Sequence, residues 1–121
     1  MATLTAKLTL TSNSATSDAL NLSVSETLVV GEPIVAISRI SLVGDATASD
    51  ILTATNSTTT YVYVKNTDAT NHIKLFTGAS ELFGIIWPGQ FSIFAIIDGE
   101  GLKVQANTGN CILEYAYWTK A

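Results

Sequence analysis

The sequence predicts an all-β chain, an antiparallel β-sandwich of jelly-roll type with about eight to ten short strands. Three observations carry that prediction. Apolar and polar residues alternate in one segment after another, and no window holds a convincing helical period. Turn residues interrupt these segments roughly every eight to twelve positions, the spacing of a sandwich or barrel. The composition is 47% hydrophobic but only 13% charged, with Thr and Ser filling the polar positions. Thr is β-branched, so a Thr-rich polar face stabilises strands where Lys and Glu faces would favour helices. The 121 residues fit one domain, residues 1–121, long enough to bury roughly two thirds of the surface of the unfolded chain.

The first segment sets Leu4, Ala6, Leu8 and Leu10 against Thr3, Thr5, Lys7, Thr9 and Thr11, a half-buried strand. The stretch from Met1 to about Thr11 either stays in its own subunit or extends into a neighbour. Thr11 to Asp18, TSNSATSD, is a loop of small side chains that bond to their own backbone. Leu20, Leu22 and Val24 resume the alternation in a strand running to about Val30, and Gly31, Glu32 and Pro33 turn the chain. A third strand is expected from Ile34 to Val43, a loop from Gly44 to Asp50, and a short strand from Ile51 to Thr55. Tyr61 to Lys65 is a dense run of β formers. It ends at Asn66 to Asn71, residues that cap themselves or tolerate left-handed backbone, and Ile73 to Phe76 returns as its partner. Leu82 to Ile86 leads into a Pro88–Gly89 turn, in which Pro sets φ and Gly permits a positive one. Phe91 to Ile97 follows, then a turn at Asp98 to Gly101, Leu102 to Ala106, a turn at Asn107 to Asn110, and a closing strand from Ile112 to Trp118.

The most informative stretch is Gly84 to Ile97, GIIWPGQFSIFAII. A strand with one wet face carries polar residues at every second position. Here Phe91, Ile93, Ala95 and Ile97 line one face, while Ser92, Phe94 and Ile96 line the other, and only Ser92 is polar. Either the strand is central and covered by the chain's own loops, or a second copy covers one face. The second reading makes assembly the function, with Trp87, Phe94, Ile96, Tyr117 and Trp118 as the expected contact residues. Phe94→Asp would then abolish assembly and leave the monomer folded. Weak charge suits such contacts, because desolvating hydroxyls costs less than desolvating ions.

Other chemistry finds little support. A net charge of −4, with Lys7, Arg39, Lys65, Lys74, Lys103 and Lys120 scattered along the chain, argues against a nucleic-acid partner, which needs clustered cations. Cys111 is the sole cysteine, so no intrachain disulfide forms, and its alternation with Leu113 and Tyr115 predicts a small buried hydrophobe. MATLTAKLTLT lacks the continuous apolar run of a secretory signal, which predicts folding in a cytoplasm. No apolar run reaches the roughly 18 residues that span a bilayer, and no membrane partner is expected. His72, the sole imidazole, has no nucleophile motif near it and reads as a surface residue; no catalytic residue is assigned. One His, one Cys and no calcium-loop spacing predict no metal site and no cofactor. Asp98-Gly-Glu100-Gly reads as a strand-joining turn, and Asn56-Ser57-Thr58 is a glycosylation acceptor only in a secreted protein. Tyr61, Tyr63, Tyr115, Tyr117, Trp87 and Trp118 could instead stack on sugars, though such aromatics are more often core or interface.

Four pieces recur in a set order: Tyr61 to Asn66, Pro88 to Phe91, Leu102 to Ala106 and Leu113 to Tyr115. With the segments around them they cover about half the chain, and in that order they resemble the C-terminal pattern of small tailed-bacteriophage virion proteins. The resemblance implies a non-enzymatic structural protein, often a homotrimer, that cements or decorates a capsid or joins tail parts. Its expected partners are itself and the major capsid protein or other virion proteins, and its location is the virion, after assembly in the bacterial host cytoplasm. The rival expectation is a carbohydrate- or receptor-binding module of a phage tail or fibre.

Overall fold

The computed structural model describes residues 2–31, 37–44, 47–52 and 58–121. These form ten strands: β1 (Ala2–Ser12), β2 (Leu20–Val30), β3 (Ser38–Leu42), β4 (Ser49–Leu52), β5 (Thr60–Asn66), β6 (Ile73–Thr77), β7 (Leu82–Ile86), β8 (Phe91–Ile96), β9 (Leu102–Ala106) and β10 (Cys111–Thr119). There is no helix among the described residues, and every strand pair is antiparallel. One four-stranded sheet has the order β3-β10-β5-β8, a second β4-β9-β6-β7, and β1 and β2 pair only with each other as strands. Two such sheets are consistent with a β-sandwich.

The core lies between the two four-stranded sheets. Leu42, Val62, Val64, Cys111 and Leu113 from the first join Leu52, Ile73, Leu75, Ile86, Leu102, Val104 and Ala106 from the second in one buried cluster. The alternation expected from the sequence is clearest in β5 and β9, where buried and half-buried residues alternate along the full length. Each fully buried Val, Leu or Ile contributes roughly 1.5–3 kcal/mol. Cys111 is one of this cluster, the small buried hydrophobe its spacing predicted.

Turns close as their residues dictate. Trp87 to Gln90 is a turn in which Gly89 has φ of 77° and the Gln90 N–H donates to the Trp87 carbonyl at 3.0 Å, the type II geometry that Pro-Gly selects. Gly99 has φ of 81° in the turn before β9, so Asp98 to Gly101 joins β8 to β9. In the β5–β6 connection the Asp68 carboxylate accepts from the N–H groups of Thr70 and Asn71, at 2.9 and 2.6 Å. Beneath it the fully buried Asn66 side chain donates to the carbonyls of Asn71 and Ile86.

β1 and β2 make a long hairpin in continuous register from Ala2↔Val30 to Ser12↔Leu20. In its connecting loop the Ser12 hydroxyl accepts from the N–H groups of Ser14 and Ala15, the self-capping expected of that composition. Among the described residues the hairpin is tied down at its base. Val30 is buried and bridges Lys120, the Gly31 N–H donates to the Thr119 carbonyl at 2.7 Å, and the Ala121 N–H donates to that of Val29 at 3.1 Å. A Cβ on Gly31 would lie 2.6 Å from the Thr119 hydroxyl, so a side chain there would have to displace that hydroxyl.

Several strand boundaries differ from expectation by a residue or two. β3 begins at Ser38, and Ile34 to Ala36 lie outside the described residues, as do Glu32, Pro33, Thr53 to Thr55, Asn56 and Ser57. β4 begins at Ser49, because Ser49 and Asp50 pair with Val104 and Lys103 of β9, a partner that no local pattern announces.

Candidate interaction surface

β8 is an edge strand. Among the described residues its only strand partner is β5, so it is not central to its sheet as the alternative reading expected. The register pairs Ile96 with Thr60, Phe94 with Val62 and Ser92 with Val64, and Thr60, Val62 and Val64 are all buried. Phe94 and Ile96 therefore face the core and pack against it. Of the expected contact residues, Phe94 and Ile96 are thus half-buried on the core side, and the more open phase of the strand is the other one, where Phe91 and Ile93 are 67% and 46% exposed and Ile97 follows. With apolar residues in both phases, only the pairing with β5 decides which one points inward.

β7 continues this surface at the edge of the second sheet. The β6–β7 register shifts between Leu75↔Gly84 and Phe76↔Leu82, which leaves Phe83 unpaired in a bulge that re-aims its side chain. Phe83 meets Phe94 edge-to-face, centroids 6.0 Å apart at 82°, across the gap between the two edge strands. Grooves open on both sides of this contact. One, of about 450 Å³, lies among Leu75, Phe83, Ile86, Phe91 and Phe94; the other, of about 520 Å³, lies among Thr77, Phe83, Phe94, Ile96 and Ile97. A third groove, of about 530 Å³, separates Leu8 and Val24 of the hairpin from Phe91 and Ile93.

The other expected contact residues scatter. Trp87 is exposed at the β7–β8 turn and tilts against His72, centroids 4.9 Å apart at 57°. Tyr117, opposite Val62, packs on the core with Tyr115. Trp118 stands half-buried on the opposite face of β10, across from Tyr61. The six aromatics therefore do not make one platform. Sequence reasoning missed Leu82, Phe83 and Ile85 of β7, all exposed, since the bulge that presents them depends on β6. It also missed the apolar face of the hairpin, where Leu8, Leu10, Leu22 and Val24 are 40–50% exposed, although their alternation was plain.

Polar groups on these sheets pair with one another. The Tyr63 hydroxyl donates to Glu114 at 2.8 Å, and Arg39 pairs with the same carboxylate at 3.2 Å. The Tyr63 bond, then Arg39, holds the Glu114 carboxyl below its ordinary range, while burial and Glu114 push the Tyr63 hydroxyl up. Burial likewise raises the Cys111 thiol, with Asp68 adding to it, so it is a poor nucleophile. Among the described residues no group of three or more His, Cys, Asp or Glu is placed to hold a metal ion, and no helix is long and apolar enough to cross a membrane. Comparison with protein-family models, characterised proteins and solved structures finds no match.

Proposed function

We propose that this chain is a non-enzymatic virion structural protein of a tailed bacteriophage, a cement or decoration protein that self-associates, as a homotrimer, and stabilises the capsid by bridging its subunits. The observation that carries the reading is the uncovered apolar surface along β7 and β8. Leu82, Phe83, Ile85, Trp87, Phe91, Ile93 and Ile97 are each 40–67% exposed, and open apolar side chains gathered on two neighbouring edge strands mark a contact surface. The ordered motifs from Tyr61 to Tyr115 support the virion context.

We also read the eight strands from β3 to β10 as a jelly roll. Counted from β3, one sheet has the order first, eighth, third, sixth and the other second, seventh, fourth, fifth, an interleaving that supports this reading of a fold common in viral capsid domains. Trp87, exposed beside His72, favours a second reading, a carbohydrate- or receptor-binding module of a tail or fibre.

Two experiments test the proposal. Co-sedimentation with undecorated shells of the cognate major capsid protein is expected to give saturable binding and a higher shell melting temperature. A chain that leaves shells untouched, yet binds a glycan array in a manner lost in Trp87→Ala, would replace the first reading by the second.

A further inference from the structure

We infer that the β1–β2 hairpin is a strap that closes over the β8 end of its own sheet, so that in the single chain it holds the face a second copy takes in the assembly. The inference rests on the reading of the protein as self-associating and gives that contact a competitor within the chain. A two-stranded ribbon is marginal by itself in water, so packing on the sheet is what stabilises it.

Burial along one face of the ribbon shows where closure begins. Residues opposite each other in the hairpin share a face, which places Leu4 with Leu28, Ala6 with Glu26 and Leu8 with Val24 on the side of Val30. Along that side Val30 is buried, Leu4, Ala6 and Leu28 are half-buried, and Leu8 and Val24 are exposed. The sheet carries a matching gradient. Ala116, Tyr63 and Ile93 form one row across the outer faces of β10, β5 and β8, and they are buried, half-buried and exposed in that order. Ribbon and sheet meet where Val30 bridges Lys120. They part toward β8, where the groove of about 530 Å³ has Leu8 and Val24 on one wall and Phe91 and Ile93 on the other. Both walls belong to the same chain.

Charge points the same way independently. Glu26 is the acidic group on the hairpin's otherwise apolar face, and it lines the groove with Phe91. The next row of the sheet runs Arg39, Glu114, Lys65, Phe91, two cations to one anion. Closure brings Glu26 to Lys65 while Leu8 and Val24 cover Phe91 and Ile93. An exposed ion pair adds little stability, so it sets the position of the strap and apolar burial holds it. Phe91 and Ile93 cannot serve the strap and a second copy together. A copy that takes them binds the open state only, and closing the strap opposes association.

The test uses the full-length chain with Cys111→Ser. Leu8→Cys with Ile93→Cys, and separately Val24→Cys with Phe91→Cys, are refolded at high dilution and oxidised. The expected product is a disulfide within one chain, at a yield that does not vary with protein concentration. The locked chain is expected to have the mass of a single copy and to regain the parental mass on reduction. Adding Glu26→Lys, which leaves the apolar walls in place, is expected to lower the yield of the lock several-fold. Disulfides only between chains, a yield indifferent to Glu26→Lys, or a locked chain that keeps the parental mass would each overturn the strap. A parental chain that is monomeric at every concentration removes the self-association reading, and the yield of the lock within one chain then decides the strap by itself.

Discussion

Asn66 connects two turns through one side chain. Its amide donates to the carbonyls of Asn71 and Ile86, at 2.8 and 3.0 Å, and its Oδ1 accepts from the Asp68 N–H at 2.9 Å. Its backbone exchanges bonds with Gln90 and Gly89, so the β5–β6 and β7–β8 connections are fastened to each other. Asn66→Ala would leave buried carbonyls without donors and is expected to cost about 2–3 kcal/mol, read from urea unfolding. Acid acts at the same scale. The N–H groups of Asn71 and Thr70 hold the Asp68 carboxyl below its ordinary value, as the Tyr63 hydroxyl and then Arg39 do for Glu114. A carboxyl depressed in the fold binds its proton less readily there than in the unfolded chain. The stability it adds is therefore present above the ordinary carboxylate range, about pH 4, and is lost as pH falls through the folded value. The melting temperature is expected to hold from neutrality to about pH 5 and to fall below about pH 4, with a shallower acid limb in Asp68→Asn and Glu114→Gln.

At the scale of the element, β8 separates two roles by parity. Phe94 faces the core and meets Phe83 edge-to-face, so Phe94→Ala is expected to destabilise the chain by about 2–3 kcal/mol, toward the low end for a Phe that is only partly buried. Phe94→Asp is expected to unfold it. Ile93, opposite Tyr63 on the outer face, is expected to behave differently: Ile93→Asp lowers the solution mass and leaves the unfolding transition of the monomer within about 0.5 kcal/mol of the parent. Urea titration with light scattering on both variants separates the roles. Loss of assembly with Phe94→Asp in a chain that still unfolds cooperatively would reverse the assignment of faces. The sequence made the two-faced character of this strand plain, because the alternation is local, but only the register with β5 decides the phase.

For the whole molecule, few charges and the open apolar side chains of β7 and β8 lead to an expected association driven by apolar burial. Size exclusion with light scattering over a dilution series is expected to give a persistent trimer. Its mass should be unchanged between roughly 0.1 and 1 M salt, since ion pairs across the contact would be screened over that range. Dissociation by salt alone would mean that charges such as Lys7 and Glu26 on the hairpin hold the copies together. A monomer at all concentrations would mean that the β7–β8 edge is left to another protein.

Strand identity, turn chemistry and the buried face of β5 and β9 were legible in the order of residues, because each depends on neighbours within a few positions. Period-two alternation marks Val62 and Val64, Pro88–Gly89 selects its turn, and Asn66 to Asn71 cap themselves. The tertiary structure alone decided that β4 begins at Ser49, that Phe83 bulges toward Phe94, and that Phe91 and Ile93, not Phe94 and Ile96, remain uncovered. The first and last of these outcomes come from pairing between residues 26 to 55 positions apart, and where both faces of a strand are apolar no local pattern distinguishes one register from its one-residue slip.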